Sequence, residues 1–254
     1  MADIFVKVSF ALPFSFFVSY YLVPLLSHLA IKAGALDSPD GKIKLHKKAT
    51  PYFGGVAVYA GFISSIALIC PLDDRLLFFI IGSVFLLFLG LLDDLTVLRA
   101  HQKLFGQFIG CLCFLKGGFF LKEAFFSSFL NIFLSGFWFI LIINAYNLVD
   151  VMDGLATTLA IIPLIAFVVL GCVFEQWPIV LLLLSLVGAL LGFLFHNRPP
   201  ARIYLGDAGA LFIGGALAAV PFFFPWGNYN SAGYLAPVIM LSVPILELTS
   251  LVFI

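Results

Sequence analysis

The chain has 254 residues, 63% of them hydrophobic and 10% charged, with a mean hydropathy of +1.17 and a formal net charge of +0. Globular domains are about half apolar and a quarter charged, so this composition excludes a soluble fold and predicts an all-α, polytopic transmembrane helix bundle. No basic excess is present to meet a phosphate backbone, which argues against nucleic acid as a partner.

A membrane span takes about 20 apolar residues. By that measure nine candidate spans follow in order: 6–31, 53–70, 76–92, 104–121, 125–143, 155–174, 179–195, 208–225 and 235–254. The first is as long as a full span and lacks a small-residue cleavage site, so it is expected to be retained rather than removed as a signal peptide. The fourth is the weakest, interrupted by Lys116, Gly117 and Gly118. Connections 32–52, 93–103, 144–154 and 196–207 fall on one side of the membrane, and 71–75, 116–124, 175–178 and 226–234 on the other. The first set holds Lys32, Lys42, Lys44, Lys47, Lys48, Arg99, Lys103, Arg198 and Arg202. The second set and the N-terminus hold only Lys7, Arg75, Lys116 and Lys122. Positive charge gathers on the cytoplasmic side, so the first set is read as cytoplasmic and the N-terminus as outside. The sequence stops at Ile254 inside an apolar run, and residues 1–254 are read as one integral-membrane domain lacking a cytoplasmic loop and the last span or spans. Ten or eleven spans are expected in all. Cys70, Cys111, Cys113 and Cys172 lie in apolar runs without metal-ligand spacing, apart from one C-x-C whose side chains diverge on a helix, and are read as core or lipid-facing.

Acids break the positive-inside pattern at three places. G-L-L-D-D-L ends the third span with Asp93 and Asp94, adjacent carboxylates that repel unless a cation relieves them. They suit a general base or a divalent ion; the alternative is a helix end carrying two solvated acids. N-A-Y-N-L-V-D-V-M-D-G-L-A then places Asn144, Asn147, Asp150 and Asp153 at three-residue steps between two apolar runs. That spacing predicts one polar strip with four converging groups; the alternative is a polar connecting loop. Y-L-G-D-A-G opens the eighth span, where Asp207 is either a helix N-cap or the acid beside an anion site made by free backbone N–H groups. Upstream, H-N-R-P-P-A-R supplies Asn197, Arg198 and Arg202, with at least one arginine serving as a membrane anchor. The lysines of the first cytoplasmic loop suit a diphosphate or anionic headgroups equally. His46 and His101 are read as surface residues, His28 as packed in its helix, and Glu247 is given no role.

With these motifs assembled, the sequence resembles the polyprenyl-phosphate N-acetylhexosamine-1-phosphate transferases, glycosyltransferase family 4. The resemblance covers the chain from Asp37 onward. It rests on H-x-x-x-x-P-x-x-G-G at 46–55, G-L-L-D-D at 90–94, N-A-x-N-L-x-D-x-x-D-G-L-A at 144–156 and N-x-x-P-A-x-I-Y-x-G-D-x-G at 197–209. It implies transfer of a sugar 1-phosphate from a UDP-sugar to undecaprenyl (polyprenyl) phosphate at the cytoplasmic face of the cell membrane, with release of UMP. Mg²⁺ is implied as cofactor, with Mn²⁺ as an alternative, and a homodimer is compatible with the resemblance. By the same resemblance Asp207 and Asn147 are metal ligands. Asp93 and Asp94 take the acceptor-phosphate and base positions, and Asp150 lies close to the reacting phosphates. Asn197, Tyr204 and Asp153 resemble the uridine pocket, Asn144 belongs to the same substrate-binding set, and Lys48 is the basic contact to the diphosphate.

Two departures stand out. Val151 replaces the family's usual Gly, and the histidine-rich motif expected after the ninth span would lie beyond Ile254. Two branches compete for the donor. V-P-I-L-E at 243–247 and the basic first loop resemble the N-acetylglucosamine branch, which starts cell-envelope polysaccharides. Thr50, Pro51, Gly54 and Gly55 retain part of the T-P-T-M-G-G of the phospho-N-acetylmuramoyl-pentapeptide branch, which starts peptidoglycan. An ion-coupled secondary transporter is the alternative of another class; it would place its acids near the membrane midplane rather than at one edge.

Overall fold

A computed structural model of the chain describes residues 2–37, 49–122, 126–224, 226 and 231–252. The helices are α1 (Ala2–Ala33), α2 (Gly54–Ile69), α3 (Asp74–Thr96), α4 (Ala100–Lys116), α5 (Ser128–Val149), α6 (Leu155–Val173), α7 (Trp177–Asn197), α8 (Gly206–Ala219), α9 (Leu235–Met240) and α10 (Ser242–Val252). Side-chain caps start two of them: Asp73 accepts from the Leu76 N–H at 2.7 Å for α3, and Ser127 accepts from the Leu130 N–H at 3.2 Å for α5.

The bundle is built around α8. Every residue of α8 except Asp207 is buried, and the helix packs against α2, α3, α5 and α6. Its Gly- and Ala-rich sequence is what allows this, since helices in lipid gain by close van der Waals approach more than by a hydrophobic effect. Gly90 of α3 shows how close: a Cβ there would lie 2.3 Å from the Asp207 carbonyl oxygen. The end of α3 is thereby pressed onto the start of α8.

A short antiparallel ladder pairs β1 (Leu36–Asp37) with β2 (Thr50–Pro51). It continues into the approach to α8. Tyr204 donates its N–H to the Pro51 carbonyl at 2.9 Å, Gly54 donates to the Tyr204 carbonyl at 3.0 Å, and Gly55 donates to the Leu205 carbonyl at 2.9 Å. Two motifs about 150 residues apart in sequence are therefore one piece of backbone, made because each supplies the other's hydrogen-bond partners.

Among the described residues six helices are long and apolar enough to cross a membrane: α1, α3, α5, α6, α7 and α8 with the 3₁₀ turn that follows it (Val220–Phe223). The expected count of nine is not confirmed by helices of this length. The second expected span is the shorter apolar α2, of 16 residues. The fourth ends at Lys116 rather than 121, because Gly118 takes a left-handed φ of 82°. The ninth is split at Leu241 into α9 and α10, where Pro244 has no N–H to continue the ladder. The fifth is displaced toward the C-terminus, so Asn144 and Asn147 sit on the last turns of α5 and not in a loop.

Candidate active site

The ends of α3 and α5 and the starts of α4 and α8 bring the acids together at one end of the bundle. Asp94 accepts from the backbone N–H of Asp207 at 2.8 Å and of Ala208 at 3.1 Å, one bond to each carboxylate oxygen. Its side chain is therefore the N-terminal cap of α8, supplied from another helix, where both hydrogen bonding and the helix dipole favour a negative charge. Gly206 makes room for it. Its φ is 73°, and a Cβ there would stand 2.7 Å from Asp94 Oδ2. The anion cradle expected for a phosphate is filled by Asp94, and Asp207 is not an N-cap: its carboxylate is free to face away from the helix.

That carboxylate accepts a short hydrogen bond from the Asn147 side-chain amide. It also forms an ion pair with Lys103, whose Nζ lies 3.0 Å from Asp207 Oδ1 and 2.8 Å from Asp93 Oδ2. Asp93 is 8% exposed, and its other oxygen accepts from the Leu98 N–H at 2.6 Å. This bond spans Val97, held at φ 54°, a left-handed conformation costly for a β-branched residue. Lys103, in the first turn of α4, is the residue that sequence reasoning passed over, counted only as a positive charge.

Of the strip from Asn144 to Asp153, Asn147 and Asp150 approach this centre while Asn144 and Asp153 face elsewhere. Three-residue steps drift by about 60° each around an α-helix, so four such positions fan across roughly half its circumference. Asn144 faces α4, where its amide exchanges hydrogen bonds with Gln107 at 2.8 and 3.3 Å and also donates to the Ile140 carbonyl at 2.8 Å. Asn147 reaches Asp207, as above. Asp150 ends α5, and its carboxyl is pushed well above the usual range by burial and then by the charges of Asp207 and Asp94. Asp153 accepts from the Ala201 N–H at 2.9 Å.

Asn197 is 3% exposed and fully engaged. Its oxygen accepts from the Gly154 N–H at 3.0 Å and from Thr157 at 3.3 Å, and its amide donates to the Ile203 carbonyl at 3.0 Å. Together with Asp153 it locks the turn after α5 to the segment leading into α8. The Tyr204 ring lies 6.3 Å from that of Tyr52. Burial, then Asp37, push the Tyr52 hydroxyl above its usual range, and the charges of Asp94 and Asp207 add to the effect. Val151 is 74% exposed and outside the left-handed region, so the departure from Gly costs the turn nothing. Lys48 and His46 lie outside the described residues.

The donors fit a hard cation. Among the described residues no three His, Cys, Asp or Glu side chains form a cage for one. Mg²⁺ does not require a cage: it commonly keeps several waters and binds one or two carboxylates together with substrate phosphates. Between Asp93 and Asp207 the protein already stabilises a positive charge, that of Lys103.

Fold and site together define a multi-pass membrane protein with its carboxylates gathered at one end of a helix bundle. The family model for glycosyl transferase family 4 matches residues 76–224, and the chain belongs to that family. Over 237 residues it is 31% identical to a probable undecaprenyl-phosphate N-acetylglucosaminyl 1-phosphate transferase of Bacillus subtilis, covering 90% of this chain and 66% of the relative. It is 35% identical to a phospho-N-acetylmuramoyl-pentapeptide-transferase of Lactobacillus johnsonii, covering 84% of this chain and 75% of the relative. An enzyme of the same name from Enterococcus faecalis is 32% identical, with 85% and 73% covered. The chain thus spans from about two thirds to three quarters of the length of these relatives.

Proposed function

We propose that the protein transfers N-acetylglucosamine 1-phosphate from UDP-N-acetylglucosamine to undecaprenyl phosphate, at the cytoplasmic face of the membrane and with its N-terminus outside. The observation that carries this reading is the bridging of Asp93 and Asp207 by Lys103, with Asn147 bonded to Asp207, at one end of the bundle. Two anions must meet there, and a centre that alternates acids with cations is what lowers their repulsion. An oxygen of the lipid phosphate attacks the sugar-bearing phosphorus of the donor, the bond from that phosphorus to the oxygen bridging to the nucleotide breaks, and UMP leaves with the electron pair.

Asp93, Asp207 and Asn147 are the residues to hold Mg²⁺, which when bound supplies charge neutralisation to the phosphate oxygens. Lys103 supplies a second positive charge. Asp94 fixes the start of α8 and so the place of Asp207. Asp150, whose proton affinity is raised by burial and then by the charges of Asp207 and Asp94, is the group proposed to exchange a proton with the lipid phosphate. Tyr204, Asp153 and Asn197 build the wall assigned to the uridine, with Asn144 behind it holding α5 to α4 through Gln107. Lys48 is assigned to the diphosphate.

The similarity to phospho-N-acetylmuramoyl-pentapeptide-transferases favours a second reading, with that peptide-bearing donor in the same chemistry. A transporter is disfavoured, because the acids lie at helix ends rather than across the middle of the bundle. Donor labelled separately at each phosphate tests the bond assignment. Label on the sugar-bearing phosphate should appear in the lipid, and label on the nucleoside phosphate in UMP; the opposite distribution refutes it.

A further inference from the structure

Lys103 raises a question that the acids alone do not. Its Nζ stands 2.8 Å from Asp93 and 3.0 Å from Asp207, and its side chain is only 16% exposed. An ammonium at that point and a divalent ion on the same oxygens would repel at contact distance, where Coulomb energies in a partly buried site are several kcal/mol. Both cannot be held together. Lysine is suited to yield, because its charge is a compact point on a flexible stem, without the fixed fork that would lock an arginine to a carboxylate. Asp93 stays in place when the lysine leaves, since its other oxygen is tied to the Leu98 N–H, and Asp207 stays because Asn147 and the cap from Asp94 hold it.

We propose that Lys103 is a placeholder cation: it holds Asp93 and Asp207 together in the metal-free protein and swings off their oxygens onto the anionic substrate when a divalent ion binds. This inference rests on the metal reading above. It makes metal binding and the lysine contact mutually exclusive, so each weakens the other by the same factor. It also gives the reaction an order, since a bound diphosphate offers the displaced ammonium a new partner and thereby tightens the hold on the ion.

The test needs no turnover. In the purified protein in lipid nanodiscs, the rate of reductive methylation of Lys103 is followed by mass spectrometry with and without Mg²⁺. The placeholder predicts that Mg²⁺ raises the rate at least several-fold; an unchanged or lower rate overturns it. In parallel, Mg²⁺ affinity is measured by calorimetry for wild type and Lys103→Met. Removing the competitor should tighten Kd by about tenfold or more, within the usual range of coupling between sites. An unchanged or weaker Kd in a folded variant overturns the proposal, and if the variant does not fold the labelling experiment decides alone. Wild type that binds Mg²⁺ with Lys103 indifferent to it would sink this inference and leave the metal reading standing. Wild type that binds no Mg²⁺ would sink both.

Discussion

Asp207 uses its side chain on Lys103 and Asn147 while its backbone N–H goes to Asp94. Asp207→Asn therefore removes the carboxylate proposed to hold the metal without touching the cap of α8. Losing one well-placed electrostatic contact in a transition state costs on the order of 10² to 10³ in rate. The expected outcome is turnover down by at least about a hundredfold on that scale, with a melting temperature close to wild type. Asp150 makes a prediction about pH. Its carboxyl binds a proton more tightly in the fold than in the unfolded chain, because burial and the charges of Asp207 and Asp94 oppose ionisation. The native state is thus favoured at low pH, and this contribution is lost as pH rises through the raised value. In metal-free buffer, melting temperature should fall as pH rises above the ordinary carboxylate range, and Asp150→Asn, which cannot titrate, should flatten that fall. An undiminished slope in the variant would show that another group carries the pH dependence.

At the level of the helices, the site depends on α3 and α8 touching through Gly90. Glycine to alanine within a helix usually gains about 0.5–1 kcal/mol in backbone propensity. Here the added methyl would meet the Asp207 carbonyl at 2.3 Å, a backbone atom that cannot rotate away. Overpacking costs about 1–3 kcal/mol, so Gly90→Ala should lower the melting temperature despite the propensity gain and move Asp207 enough to cut turnover sharply. Thermal unfolding and Mg²⁺-dependent activity of the variant check both. Asp93, Asp94, Asn147, Asp150 and Asp207 were legible in the sequence because carboxylates and amides at the borders of apolar runs need a physical reason to be there. Which of them does what was not. Asp94 rather than Asp207 caps α8, because a cap can come from another helix as well as from the chain just upstream. Gln107 and Lys103 escaped notice since their partners lie on other helices, and no local spacing marks them. The ends of the expected spans were less legible, because apolar length alone does not show that the fourth helix stops before Gly118 or that the last apolar run is broken at Leu241.

For the molecule as a whole, the acid-bearing end is assigned to the cytoplasm by its excess of positive residues. In a variant without native cysteines, Met152→Cys, at an exposed position beside the acids, should resist a membrane-impermeant thiol reagent added to intact cells. Leu72→Cys, exposed between α2 and α3, should react. The reverse pattern would invert the protein in the membrane. The central claim concerns chemistry, and the most direct measurement is of product. Purified protein in nanodiscs is given undecaprenyl phosphate, Mg²⁺, and equal amounts of UDP-N-acetylglucosamine and UDP-N-acetylmuramoyl-pentapeptide, and the lipids formed are identified by mass. The account predicts undecaprenyl diphosphate N-acetylglucosamine with one UMP released per lipid. A muramoyl-peptide lipid would contradict the choice of donor, and no lipid product from either donor would contradict the transferase reading itself.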